Sequence, residues 1–372
     1  MIKSTTFRAA ALFALGVCIT STASAQWMIT DLGDLPGGGN SSRAADINNA
    51  GQVVGVSQAA AGGRAFMWQN GVMTDLGTLG SYTEAYGINN AGQVVGVSSS
   101  PTNRAFMWQN GVMTDLGVPA GAAASVKSRG VGINDAGQVV VNTENSNGSD
   151  PRAFILQNGV MTSLGSLPGG SGASYAHDIN SSGQVVGNSS APTGGAFMWQ
   201  NGVMTNLGSL PGASSSNALG INTAGQVVGH SGGRAFMWQN GVMSDLGGDA
   251  PTGGSLYGGT LSAYDINNAG QVVGYGVSID GDTDSNVERA VLWQSGSMID
   301  LSTAGGVAGT GWILKNATAV NDLGQIVGYG TNPQGETHAF MLTPVPEPEV
   351  YLMMGVGVCL AGVIARRRKQ IS

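Results

Sequence analysis

The sequence predicts an all-β fold: a seven-bladed β-propeller closed by sharing one blade between the N- and C-termini, followed by a C-terminal transmembrane helix. Three observations predict it. A phrase close to Ile-Asn-Asn-Ala-Gly-Gln-Val-Val-Gly begins at Ile47, Ile88, Ile133, Ile179, Ile221, Ile266 and Val320, mostly 41 to 46 residues apart with one gap of 54. A period in the forties marks propellers and solenoids. Each phrase is paired with one close to Ala-Phe-Met-Trp-Gln-Asn-Gly-Val-Met-Thr-Asp-Leu-Gly, whose Asn-Gly is the favoured centre of a type I′ hairpin. Finally, the chain opens and closes in mid-repeat. Trp27 to Gly33 match the Val-Met-Thr-Asp-Leu-Gly strand, and His338 to Leu342 match the Ala-Phe-Met-Trp strand. These halves complement each other, so the first strand can lie beside the last and leave no exposed sheet edge. An open β-solenoid, the alternative architecture, needs polar capping repeats at its ends.

Within one repeat the elements follow in order. Arg64 to Gln69 reads as a strand with Phe66 and Trp68 on one face, Asn70-Gly71 turns it, and Val72 to Leu76 returns. A Gly-rich connector leads to Tyr86-Gly87-Ile88-Asn89, a tight Asn90-Ala91-Gly92 turn follows, and Gln93 to Val97 forms the next strand. Apolar residues on both strand faces require that neighbouring sheets cover each sheet on both sides. No helical periodicity occurs between residues 26 and 343, the span of the repeat ectodomain.

The two ends read as addresses. Residues 1–25 have a basic start (Lys3, Arg8), an apolar run from Ala9 to Ile19, and small residues Ala23 and Ala25 before a cleavage point that leaves Gln26 first. Cys18 follows the branched Val17, where a lipoprotein signal needs a small residue. At the other end, Val345-Pro346-Glu347-Pro348 lies in a linker at 344–349, an apolar helix is expected over 350–365, and a basic cytoplasmic tail occupies 366–372. That helix rises about 24 Å, short of the roughly 30 Å hydrocarbon core, and snorkelling arginines cover the difference. Arg366, Arg367, Arg368 and Lys369 hold the tail on the cytoplasmic side.

These last residues resemble the PEP-CTERM sorting signal of Gram-negative bacteria. Glu349 departs from the pattern, standing where family members more often carry a small residue. The resemblance implies export across the inner membrane and transient anchoring by the C-terminal helix. It further implies processing by an exosortase-type membrane peptidase, then residence at the cell surface or in an exopolysaccharide and biofilm matrix. The repeat itself resembles the HAF repeat of bacterial extracellular proteins. Its tripeptide is literal only at His338-Ala339-Phe340; the first position is otherwise Arg64, Arg104, Arg152, Gly195, Arg234 or Arg289.

Composition narrows the function. Both cysteines, Cys18 and Cys359, fall inside the two addresses, so the ectodomain has no disulfide framework. Residues 26–343 hold nine basic and twenty acidic side chains, a net charge of −11, which disfavours nucleic acid as a partner.

Candidate chemistry is sparse. Gly229-His230-Ser231-Gly232-Gly233 matches a nucleophile elbow, but it aligns with Gly55-Val56-Ser57 and Gly96-Val97-Ser98, strand ends followed by no helix. His177, His230 and His338 occupy three different repeat positions and read as scattered, solvated loop residues rather than a zinc set. Asp280, Asp282 and Asp284 alternate as in the first half of an EF-hand, a weak calcium candidate. Ser285 and Val291 stand where that loop needs glycine and glutamate. Arg64, Arg104, Arg152, Arg234 and Arg289 are expected to pair within each hairpin with Asp75, Asp115, Asp245 and Asp300, the counterparts of Asp31. Trp68, Trp108, Trp199, Trp238 and Trp293 are expected in inter-blade packing. Trp312, Tyr257 and Tyr264, off the repeat lattice, are the candidates for glycan stacking. No catalytic residue or organic cofactor is indicated. The expected function is a non-enzymatic secreted or surface scaffold associated with exopolysaccharide. The alternatives are a lectin-like glycan-binding propeller and a glycan-active enzyme.

Overall fold

The computed structural model describes residues 26–345 other than 61, 100–101, 192–193, 248–259 and 281–284. The expected signal peptide with Ala23 and Ala25, the motif residues Pro346, Glu347 and Pro348, the membrane helix at 350–365 and the cluster Arg366, Arg367, Arg368 and Lys369 lie outside the described residues, as does Tyr257. Among the described residues no helix is long and apolar enough to cross a membrane. The only helical element there is a 3-10 turn at Leu301–Thr303.

Everything else is strand and turn, arranged as four-stranded antiparallel meanders. One consists of Tyr82–Ile88, Val94–Ser99, Asn103–Gln109 and Val112–Gly117, and the sheets starting at Lys127, Ser174, Ser216 and Leu261 repeat its order. An eight-stranded sheet is two more meanders touching through a single parallel pair, Ser41 opposite Thr337. One half runs Gly38–Ile47, Val53–Ala59, Gly62–Gln69, Val72–Asp75. The other takes Ile313–Val320, Ile326–Thr331 and Thr337–Val345 from the end of the described chain, and Gln26–Asp31 from its beginning. Gln26 lies opposite Val345 and Asp31 opposite Phe340, so the complementary half-repeats are a true strand pair. The closing strand runs two residues past the boundary expected at 343 and includes Val345 of the sorting motif. This is the architecture of a β-propeller.

Local chemistry explains the regularity. The hairpins turn at Asn70-Gly71 with φ of 51° and 85°, and the same pair of positive angles recurs at Asn110-Gly111, Asn201-Gly202 and Asn240-Gly241. Glycine and asparagine enter that region at least cost. Hydrophobic clusters span neighbouring sheets: Val54, Ala65 and Leu76 of one pack with Ala85, Ile88, Val94 and Phe106 of the next. Phe66, Phe106, Phe197, Phe236 and Phe340 are fully buried at equivalent places, each stabilising by about 2–3 kcal/mol.

A cycle of asparagines joins the first strands. Asn48 Nδ2 donates to the Asn89 carbonyl (3.0 Å), Asn89 to Asn134 (3.1 Å), Asn134 to Asn180 (3.0 Å) and Asn180 to Asn222 (3.0 Å). Asn222 continues to Asn267 (3.2 Å), Asn267 to Asn321 (2.9 Å), and Asn321 returns to Asn48 (3.0 Å). Each Oδ1 also accepts two N–H groups of its own turn, as Asn180 does from Ser182 and Gln184 at 3.0 Å. The repeated Asn therefore closes both its turn and the ring.

The expected hairpin ion pairs form at Arg64–Asp75 (3.0 Å), Arg234–Asp245 (3.0 Å) and, more loosely, Arg289–Asp300 (3.9 Å). Two arginines differ. Arg152 turns to Asp150 at 2.7 Å because Ser163 occupies the usual aspartate position, and Arg104 donates to the carbonyls of Ala124 and Val126. In the closing sheet His338 replaces the arginine and meets Asp31 at 2.9 Å.

Two expectations need correction. Trp312 is not a surface platform: it is 9% exposed and packs edge-on against Phe340 in the core beside Trp27. The histidines are not loop residues, since His177, His230 and His338 all lie on strands. Ser231 is also a strand residue; its buried hydroxyl accepts from Leu210 N (3.0 Å) and donates to the Ser215 carbonyl (3.0 Å), so it serves packing.

Candidate functional site

The repeat is nearly constant around its Ile-Asn, yet two positions of every first strand vary. Four residues before the Ile or Val stand Arg43, Glu84, Arg129, Tyr175, Asn217, Ser262 and Asn316; two before it stand Ala45, Tyr86, Val131, His177, Leu219, Tyr264 and Thr318. Opposite the former on the second strands lie Val56, Val97, Asn142, Asn188, His230, Tyr275 and Tyr329. In each of these seven first strands the register bulges at the residue two before the Ile or Val. Such a bulge re-aims a side chain, here without disturbing the packed strands beyond it.

These variable residues converge in one concavity. Its two lobes, about 550 and 540 Å³, share Arg129, Val131, His177, Leu219 and Tyr264 as common wall. Tyr264 stacks on Tyr275 with ring centres 5.5 Å apart. The Arg43 guanidinium lies 5.1 Å from the Tyr329 ring centre, and that of Arg129 lies 5.5 Å from Tyr86. Glu84 accepts the hydroxyls of both Tyr82 and Tyr86, the latter at 2.9 Å. Burial, followed by the Glu84 carboxylate, raises both phenol pKa values, and burial lifts Tyr264 to about 12, so all three remain hydrogen-bond donors at neutral pH. His177 shares a 2.9 Å contact with Asn188 Oδ1, and Asn217 Nδ2 donates to His230 Nε2 at 2.9 Å. Burial lowers the pKa of both histidines and favours their neutral forms.

One residue before the Ile or Val, Asp46, Asp178 and Asp265 interrupt a series otherwise filled by glycine and Ala319. Each carboxylate accepts from the following residue and from the next first strand. Asp46 takes Ile47 N (2.7 Å) and Ile88 N (2.8 Å), Asp178 takes Ile179 N (2.7 Å) and Ile221 N (2.9 Å), and Asp265 takes Ile266 N (2.7 Å) and Val320 N (2.8 Å). Burial, assisted by neighbouring carboxylates, pushes Asp46 up to about 8 and Asp265 up to about 7. Burial alone raises Asp178. Among the described residues no group of three or more His, Cys, Asp or Glu is placed to hold a metal ion. Asp280 ends the strand Val272–Asp280, while Asp282 and Asp284 lie outside the described residues.

Among the described aromatic residues singled out from sequence as glycan platforms, Tyr264 lines this concavity, but from the strand Leu261–Ile266 at the repeat position two before Ile266 rather than from an off-repeat connector. Arg43, Arg129, Glu84, Tyr175, His177 and His230 were not recognised together. Their signal was present as substitution at fixed positions within a constant frame.

The chain carries a PEP-CTERM protein-sorting motif at residues 344–369. Such motifs mark secreted proteins processed by an exosortase membrane peptidase. No curated protein matches the chain by sequence. Among solved structures it is similar to virginiamycin B lyase from Staphylococcus aureus, with 12% identity, a TM-score of 0.52, and coverage of 86% of this chain and 99% of that one. An extracellular domain from B. thetaiotaomicron, assigned to a one-component system, aligns with 9% identity and a TM-score of 0.51 over 86% of this chain and 40% of the other. A six-bladed β-propeller lectin from Aleuria aurantia aligns at 10% identity and a TM-score of 0.35, over 87% of this chain and 95% of the lectin. At these identities the likeness concerns the fold.

Proposed function

We propose that this protein is a non-enzymatic, exported seven-bladed β-propeller that binds saccharide in the concavity of its variable residues. An exosortase-type peptidase would process it on the way to the cell surface or matrix. One observation carries the binding reading: the two positions of every first strand that vary from repeat to repeat all line a single bowl. A scaffold with no ligand has no physical reason to concentrate its variation there. The bowl offers flat aromatic faces, neutral imidazoles, amides and phenol donors, the groups that stack on sugar rings and hydrogen-bond their hydroxyls. Glu84 is held by two tyrosines, and the three buried aspartates are held by backbone N–H groups. Neither arrangement supplies the facing acid and base carboxyls of glycoside hydrolysis.

Retention of the purified 26–345 protein on the producer's exopolysaccharide tests this reading. Wild type should be retained, and Tyr264→Ala should weaken retention roughly tenfold. No retention of wild type refutes it. The sorting reading is tested separately by removing Pro346, Glu347 and Pro348, which leaves the closing strand intact. Unchanged cellular distribution would defeat it.

A further inference from the structure

We infer that the bowl takes an acidic saccharide, its sugar rings resting on the tyrosine wall and its carboxylate or sulfate held by Arg43 and Arg129. The inference rests on the saccharide reading above and adds the charge of the ligand.

Accounting for the cations leads to it. Of the nine basic residues in the ectodomain, Arg64, Arg152, Arg234, Arg289 and Lys127 face carboxylates, and Arg104 donates to main-chain carbonyls. Arg43, Arg129 and Lys315 do neither: among the described residues they form no ion pair and donate no hydrogen bond. Lys315 lines neither lobe, whereas Arg43 and Arg129 are exposed at the bowl. Each of these two arginines instead lies over a tyrosine ring. Stacking orients a guanidinium while leaving its N–H fork free, and that fork matches the oxygens of a carboxylate or sulfate.

The surroundings favour an anion there. Glu84 is the one carboxylate lining the two lobes, and its Oε2 already serves Tyr82 and Tyr86. His177 and His230, shifted toward neutrality by burial, add hydrogen-bonding groups without opposing charge. A neutral sugar covering the guanidiniums would strip their water and return no matched acceptor, a desolvation cost that an anionic group offsets. A nucleic-acid backbone is disfavoured, since two guanidiniums in an ectodomain of net charge −11 cannot hold a run of phosphates. The lobe volumes suit a short oligosaccharide.

Titration calorimetry of the 26–345 protein would compare three oligosaccharides of equal length: one bearing uronates, one bearing sulfates and a neutral one. At least one acidic ligand should bind roughly tenfold or more tightly than the neutral ligand, and the preference should shrink with added salt. Arg43→Gln and Arg129→Gln should remove the preference while leaving neutral binding in place. Arg64→Gln, in an outer ion pair, should leave it unchanged. Equal affinity of wild type for acidic and neutral ligands overturns the inference and spares the saccharide reading, as does a preference that survives both glutamine variants. If none of the three binds, the saccharide reading itself fails. The wild-type comparison stands even if a glutamine variant does not fold.

Discussion

Replacing Asn180 tests whether the asparagine cycle holds the ring. Its residue is 5% exposed, its Oδ1 accepts from Ser182 N and Gln184 N, and its Nδ2 donates to Gln184 Oε1 (2.7 Å) and the Asn222 carbonyl (3.0 Å). Asn180→Ala strands two amide N–H groups and takes one of two donors from the Asn222 carbonyl, which keeps Gly225 N (3.1 Å). Each buried group left unpaired costs about 1–3 kcal/mol, and the turn opens toward solvent, so the expected loss is about 3–5 kcal/mol. Against a total stability of order 5–15 kcal/mol that is a large fraction. Asn180→Asp keeps both acceptor contacts but sets a carboxylate oxygen against the Asn222 carbonyl, costing about 2–3 kcal/mol at neutral pH. Protonation restores one donor, so the Asp defect relative to wild type should shrink in acid. Urea unfolding of the 26–345 protein at pH 7 and pH 4 measures both. An Ala variant within about 1 kcal/mol of wild type, or an Asp defect indifferent to pH, would refute the reasoning.

Three further predictions follow from packing and charge. Asp46 and Asp265 have folded pKa values of about 8 and 7, above the ordinary carboxylate value near 4, so the folded state binds more protons between those limits. Their contribution to stability is complete below about pH 4 and is lost as pH rises through 7–8. The melting temperature should therefore fall from pH 5 to pH 9 and fall less in Asp46→Asn and Asp265→Asn; a flat or rising wild-type profile contradicts this. Gly187→Val would place a Cβ 2.0 Å from the Tyr175 carbonyl oxygen and should cost about 2–3 kcal/mol or more, with Ala176→Gly recovering at least half. The rescue copies the third sheet, where Val141 faces Gly130, and a double-mutant cycle showing no coupling would refute it. Removing residues 26–31 takes the fourth strand from the closing sheet and Trp27 from its core, so the truncated domain should aggregate or unfold at much lower urea. A monomer with an unchanged midpoint by size exclusion and urea titration would show that the latch is dispensable.

Much of the architecture was legible because it is written in local rules repeated many times. Asn-Gly at hairpin centres, paired apolar faces and the two half-repeats specify the meanders and the strand that joins the ends. The hairpin pairing of Arg64 with Asp75 was readable for the same reason. Arg152 escaped it because its partner position carries Ser163, and a side chain then seeks whatever acceptor the loop provides. The bowl was hidden by topology. Arg43, Arg129 and His177 belong to different repeats, and only closure of the sheets makes them neighbours. Trp312 misled for a related reason: lying off the repeat made it look available, whereas the long segment around it folds back and buries it against Phe340.

The latch strand also fixes an order of events in time. Three strands of the last sheet come from the end of the described chain and the fourth from its first six residues, so the ring cannot be completed until residue 345 has been delivered. A chain threaded through a membrane from its N-terminus must pass its transit as an open arc with Gln26–Asp31 waiting unpaired. Val345, at the threshold of the sorting motif, is also the last tooth of that zip, lying opposite Gln26. A chain trimmed beyond Val345 keeps every tooth of that zip; one trimmed before it is left a tooth short.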